Sequence, residues 1–366
     1  MSKVVIRVDK IAGLRDASDV TELNTLELRE TTGLSEIVEL RLADDTSYGL
    51  DKTDPRFAVW NQFLEWQRES NLPVYVIAES PRSIVRELLP VFKRLVDSVD
   101  PTPVGGRLRV VFRASPAIYY LNPALPNFVE FRNGLSSAAR DRSTVLVTHH
   151  PATFEILDVR VAPAESPGAP EEVSALEAGA PFVPLDNLPL PISEITTQKA
   201  FEVFGVLAAS EIPFSYVWDC CTARAQKMCS LLLQNHNILA RKIWNYGHGF
   251  KTNVATLSVK TPLDPSGKVF WRYHVAPTVR VVDGTVKDVV LDPSLFKAPV
   301  ELNTWLLVQN DDKATQEFSD KSVYENRPDS PNDLVDPGPQ AIDEKLNTEA
   351  AMLILNSIFN DLLKTS

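Results

Sequence analysis

Residues 162–191 constrain what this chain can fold into more than any other stretch. Seven prolines (163, 167, 170, 181, 184, 189 and 191) fall there with no helical or strand period between them. Proline fixes φ and removes a backbone donor, so neither a helix nor a central strand runs through such a segment. It reads as a linker crossing a surface. The chain then divides into residues 1–161, the linker 162–191, and residues 192–366. With 366 residues there is enough chain for a core on each side.

The first part reads as an α/β or α+β domain. Val4–Val8, Val74–Ala78, Leu108–Phe112 and Val145–Val147 are short β-branched runs bounded by Pro, Gly or charge, which suits buried strands. Phe57–Trp66 places apolar groups at helical spacing. Pro81–Val99 reads as a second helix, with proline in its first turn and a stripe through Ile84, Leu88 and Phe92. Gly105-Gly106 reads as a turn, and no phosphate loop or dinucleotide-binding glycine pattern is present. His149-His150 reads as a surface or strand-end pair.

The second part reads as helices followed by strands, an α+β plan. Ser193 is the expected N-cap of a helix whose inner side is Ile195, Ala200, Phe204 and Leu207. A second helix, about 221–235, precedes strands near Lys242–Tyr246, Val254–Lys260, Lys268–Val282 and Thr285–Leu291. Asp264-Pro265-Ser266-Gly267 and Asp283-Gly284 mark turns. Residues 311–345 carry ten acidic and four basic side chains and read as a solvated loop. A closing helix is expected at about 346–364.

Composition excludes several classes. A hydrophobic share of 44% and a charged share of 23% are those of an ordinary globular protein. A net charge of −11 argues against nucleic-acid binding, which needs a basic face. No run approaches the roughly 18 apolar residues of a membrane helix. The first ten residues alternate like a strand and lack the apolar core of a signal peptide. The expected location is therefore cytoplasmic, or delivered without a signal peptide, unless a leader precedes this sequence. Three cysteines, two of them adjacent, make no disulfide framework, and five histidines show no zinc-ligand spacing. No metal or cofactor is expected.

Three segments carry chemistry: Asp219-Cys220-Cys221-Thr222-Ala223-Arg224-Ala225-Gln226-Lys227-Met228, Trp271-Arg272-Tyr273-His274-Val275-Ala276, and Leu291-Asp292-Pro293-Ser294-Leu295-Phe296. A cysteine opening a helix, a histidine on a later strand and an aspartate at the next strand's end are the parts of a thiol nucleophile site. From Cys221, residues Ala225, Met228, Cys229 and Leu232 share its inward helix face. Free N–H groups at a helix start lower a thiol pKa and can hold an oxyanion. The bland alternative for a free cysteine is a small buried hydrophobe, which is the reading for Cys229. His274 shares a strand face with Phe270, Arg272 and Ala276, while Trp271, Tyr273 and Val275 take the other. A strict two-residue turn at Asp283-Gly284 would point Asp292 away from His274. The triad therefore requires a three-residue turn or a bulge, and Pro277 already makes the strand irregular. Trp244, Tyr246, Trp271 and Tyr273 are candidate pocket walls or core. Arg224 is an oxyanion aid or, by preference, part of a structural salt bridge.

These three segments together resemble bacterial protein-glutaminase, a cysteine hydrolase of the papain and transglutaminase type, over about residues 210–310. The resemblance implies a papain/transglutaminase-like domain that converts protein- or peptide-bound glutamine to glutamate and ammonia. Cys221 would be the nucleophile, His274 the base and then acid, and Asp292 its orienter. The partner would be a protein or peptide with an accessible glutamine, and Trp271, Tyr273, Trp244 and Arg224 would lie about it. The family pattern has a small residue, usually glycine, where Cys220 stands. It also carries N-terminal pro-segments, so residues 1–161 would mask the site or, alternatively, target the enzyme. A transglutaminase or a papain-like peptidase shares the triad. From another class, a non-catalytic adaptor would keep it as inherited scaffold.

Overall fold

The computed structural model describes residues 5–16, 37–69, 71–79, 83–102, 106–113, 115–151, 153–162, 192–264, 266–321 and 323. It is a mixed α+β protein with antiparallel sheets. The described residues fall into two compact units. One comprises 5–113 with 117–160, and the other 192–323 with the short segment 115–116. The expected helix at 346–364 lies outside the described residues.

The first unit contains β1 (Val5–Asp16), β2 (Ile37–Leu42), β3 (Ser47–Asp51), α1 (Phe57–Glu69), β4 (Pro73–Ala78), β5 (Val85–Pro90) and β6 (Phe92–Pro101). It continues with β7 (Leu108–Phe112), β8 (Tyr119–Leu121), α2 (Phe128–Asp141), β9 (Thr144–His149) and β10 (Ile156–Val161). Strands order as β3-β2-β1-β4-β5 in one sheet and β10-β9-β6-β7-β8 in another. Trp60, Phe63 and Leu64 of α1 pack on Val74, Val76 and Leu40 of the first sheet, as helical spacing requires.

The helix expected at Pro81–Val99 is instead β5 and β6. Pro90 explains the difference: in a helix interior it would remove a hydrogen bond and clash with the preceding turn. Pro90 lies at the end of β5, and Leu88 and Phe92 are buried as strand residues. His149 ends a strand as expected but is not a surface residue. It is 3% exposed, between the rings of Phe92 and Phe154.

The second unit contains β11 (Glu194–Ile195), α3 (Thr197–Ala208), α4 (Cys221–His236), β12 (Arg241–Tyr246), β13 (Leu257–Lys260), β14 (Lys268–Trp271) and β15 (Tyr273–Asp283). It ends with β16 (Thr285–Val290), β17 (Val300–Glu301), α5 (Leu302–Leu307) and β18 (Thr315–Ser319). Its main sheet runs β17-β16-β15-β12-β18, with β11 paired parallel to β15, and β13 and β14 form a separate hairpin. Helices α3 and α4 cover one face through Phe204, Leu207, Met228 and Leu232 against Val279 and Leu291. Trp305 of α5 packs on the other through Ile243, Ala276 and Val290.

Two local expectations change here. Thr196, not Ser193, caps α3, its side chain accepting from the Lys199 N–H at 3.1 Å. Ser193 precedes the β11 pairing and its hydroxyl holds the Leu239 N–H at 2.9 Å. Residues 315–319, expected in a loop, form β18 on the edge of β12. Their mostly polar side chains, with Thr315 and Gln316 exposed, suit an edge strand, which is half solvated. No helix among the described residues is long and apolar enough to cross a membrane.

Candidate active site

Helix α4 begins at Cys221, and Cys220 before it holds a left-handed backbone with φ of 67°. That conformation suits glycine, because a Cβ crowds the following carbonyl there. The Cys220 N–H donates to Asp219 Oδ1 at 2.5 Å, which ties down the entry to the helix. Ala225, Met228, Cys229 and Leu232 are all buried on the inward face, as the spacing from Cys221 requires. Arg224 forms no salt bridge among the described residues. Its Nη1 donates to the carbonyls of Tyr216 at 2.6 Å and Asp219 at 2.9 Å, so it braces the turn before the helix.

Cys221 packs with Trp244, Tyr246, Tyr273 and Val275. The backbone of Val275, the residue after His274, lies near enough to favour the thiolate slightly. The helix start was expected to lower the thiol pKa, but here burial pushes it up to about 12. Asp219 and Asp292 add to the rise, and Arg224 and the Val275 backbone only partly oppose it. With that environment Cys221 is a thiol at neutral pH.

His274 and Asp292 meet directly, Nε2 to Oδ2 at 2.8 Å, and each is about 98% buried, with relative exposures of 1% and 2%. The hairpin supplies the required irregularity. Asp283 pairs with Thr285 around Gly284, whose φ is 76°, and Thr278 pairs with Val290. Continuing that register sets Asp292 opposite Ala276, on the His274 face and diagonal to it. The Leu291 N–H still reaches the Pro277 carbonyl at 2.9 Å. Asp292 Oδ1 accepts from the N–H and hydroxyl of Ser294, at 3.1 and 2.5 Å, and Oδ2 also accepts from Trp305 Nε1 at 2.8 Å. Burial alone would raise the Asp292 pKa. The His274 charge and the bonds from His274, Ser294 and Trp305 outweigh it, and the carboxyl sits below its ordinary value. His274 Nδ1 is buried with no hydrogen-bond partner among the described residues.

The aromatic candidates separate. Trp244 and Tyr273 line the Cys221 side of the sheet. Trp271 was expected on that side, but a bend at Arg272 ends β14 and reverses the alternation. Its ring stacks on His274 at 4.7 Å between centroids and 14° between planes. Phe270 is 53% exposed on the separate hairpin and does not share the His274 face of β15.

Sequence reasoning missed three participants. Ser294 was legible in principle, because Asp-Pro-Ser is an Asx-turn signal. Trp305 lies thirteen residues from Asp292 with no motif to announce it. The segment 115–116 is remote in sequence. Ser115 Oγ donates to Asp219 Oδ2 at 2.9 Å, Arg272 Nη2 donates to the Ser115 carbonyl at 2.8 Å, and the Arg272 N–H reaches the Pro116 carbonyl at 3.0 Å.

Residues 193–309 match the family model described as Glutaminase, so the second unit is that of an amidohydrolase. That match agrees with the protein-glutaminase resemblance of its three motif segments. Among solved structures, crystalline pro- protein-glutaminase is 22% identical, with 66% of this chain and 86% of that chain covered and a TM-score of 0.42. The NMR structure of protein-glutaminase from Chryseobacterium proteolyticum is 24% identical, with 38% and 80% covered and a TM-score of 0.32. No curated protein matches the chain.

Proposed function

We propose that this chain hydrolyses the side-chain amide of protein- or peptide-bound glutamine through Cys221, His274 and Asp292. The Cys221 sulfur attacks the amide carbon as His274 takes the thiol proton. The oxygen of the tetrahedral adduct gains negative charge, which the N–H groups opening α4 would receive in this reading. Collapse breaks the C–N bond, and the imidazolium gives its proton to the leaving ammonia. Water then attacks the thioester, His274 takes a proton from it, and glutamate leaves as the thiol is restored. Asp292 stays ionised throughout and holds the imidazole through Nε2, which leaves Nδ1 for the proton transfers.

One observation carries this reading. A buried His274–Asp292 pair with Nδ1 unsatisfied stands in the strand beside Val275, which packs against Cys221. A buried polar nitrogen without a partner costs free energy, and a site that uses it explains why it is kept. The test is ammonia release from a glutamine-rich protein, with and without Cys221→Ala. Activity surviving that substitution would refute the mechanism, and isopeptide products formed with an added amine would assign transglutamination instead.

For residues 1–161, masking and targeting stand as two equal alternatives, which the rate of residues 190–366 on a small glutamine peptide would separate.

A further inference from the structure

Behind His274 lies a closed ring of buried side chains that the chemical steps above do not use. Trp305 Nε1 and His274 Nε2 both donate to Asp292 Oδ2, each at 2.8 Å. The Trp305 ring also stacks on the imidazole, 5.5 Å between centroids and 23° between planes. Trp271 stacks on the same imidazole at 4.7 Å. Two indoles stacked near-parallel on the imidazole hem in its ring, so His274 cannot rotate without displacing one of them.

Helix α5 has six residues, too few to hold its shape unaided. Side-chain amides supply what it lacks. The Trp305 carbonyl accepts from Gln309 Nε2 at 2.9 Å, and Gln309 Oε1 accepts from Asn245 Nδ2 at 3.1 Å. Asn245 Oδ1 in turn accepts from Gln316 Nε2 at 3.1 Å. Asn245 is also the cross-strand partner of His274, which closes the ring. Trp305, Gln309 and Asn245 are each 1% exposed or less. Buried amides are costly unless satisfied, and a satisfied network is rigid.

We propose that Trp305 is a positioning residue for amide hydrolysis here, acting through the His274–Asp292 pair and held in register by Gln309 and Asn245. This rests on the functional reading above. The indole N–H keeps the Asp292 carboxylate ionised and aimed, and the indole face fixes the plane in which His274 presents Nδ1. Tryptophan is required because no other aromatic apolar ring combines a broad face with a lone N–H donor.

The test uses the full chain with Trp305→Phe, which keeps a ring face and loses the donor. The expected result is a fall in kcat of about tenfold or more with KM unchanged, since misplacement of a catalytic group acts on the chemical step. The acid limb of kcat/KM should move to higher pH, because Asp292 loses a bond that favours its charged form. Independently of activity, NMR of the labelled His274 imidazole should show a displaced titration midpoint. A folded Trp305→Phe protein with wild-type kcat and an unmoved His274 titration would overturn the proposal. If that variant does not fold, Gln309→Met reads the same coupling, and an unmoved His274 titration there would equally overturn it. A displaced titration in a protein whose wild type releases no ammonia would count against the functional reading while supporting the coupling.

Discussion

Replacing Asp292 by asparagine removes one charge and leaves the side-chain volume unchanged. The amide must decide which of its two ends lies at the Oδ2 position. That position meets two donors, His274 Nε2 and Trp305 Nε1, both at 2.8 Å, so an NH2 group there would face two N–H groups. At the Oδ1 position the NH2 group would face the Ser294 N–H but also a hydroxyl that can turn to accept. The amide oxygen is therefore pinned toward His274 and the imidazole keeps its tautomer. What is lost is charge assistance, worth about 1.5–3 kcal/mol for a hydrogen bond to an ionised group. At 1.36 kcal/mol per factor of ten, kcat should fall about 10- to 150-fold. Steady-state ammonia release from a glutamine-rich protein measures it. A fall of about 10⁴-fold, the size seen when a serine-protease histidine is left in the wrong tautomer, would refute the pinning by Trp305. No fall would refute any role for the Asp292 charge. Asp292→Ala should cost far more, about 3–5 kcal/mol of stability, because it strands a charged or donor-rich partner in the core.

Other outcomes follow from the same geometry. Cys220→Gly should keep activity and change stability by less than about 1 kcal/mol, since relief of the left-handed backbone offsets the lost burial. Loss of activity there would shift the nucleophile to Cys220. Gly249→Ala should destabilise the second unit by about 1–3 kcal/mol in urea titrations, because the new Cβ would lie 2.6 Å from the Val254 carbonyl oxygen, a backbone atom. Asp292 has a depressed folded pKa, so its contribution to stability is present above its unfolded value of about 3.9 and is lost as pH falls below it. The slope of unfolding free energy against pH in that acid range should be shallower in Asp292→Asn. Proteolytic nicking within 163–191 should speed alkylation of Cys221 at neutral pH and raise the rate on a small glutamine peptide if the N-terminal part masks the site; delivery predicts no change in either.

The local geometry around these residues was legible where local rules govern it. Cys221 opens a helix whose inward residues follow at helical spacing, and the parity of the Asp283-Gly284 hairpin demanded an irregular turn, which is present around Gly284. The rest depends on long-range contacts that no local period encodes. Trp305 reaches Asp292 only because α5 folds back on the β12 and β15 face, and residues 115–116 meet Asp219 from more than a hundred positions away. The Pro81–Val99 error came from trusting an apolar stripe over Pro90, and the thiol pKa error from weighing the helix terminus without the burial around it.

The central claim is that Cys221 forms a thioester with the side chain of a protein-bound glutamine and that water resolves it. Incubation in heavy-oxygen water, followed by mass spectrometry of the substrate peptides, tests this most directly. The account predicts glutamate at former glutamine positions carrying one heavy oxygen, ammonia released in equal amount, and neither product with Cys221→Ala. Cleaved main chain, amine cross-links without heavy oxygen, or undiminished product from Cys221→Ala would contradict it.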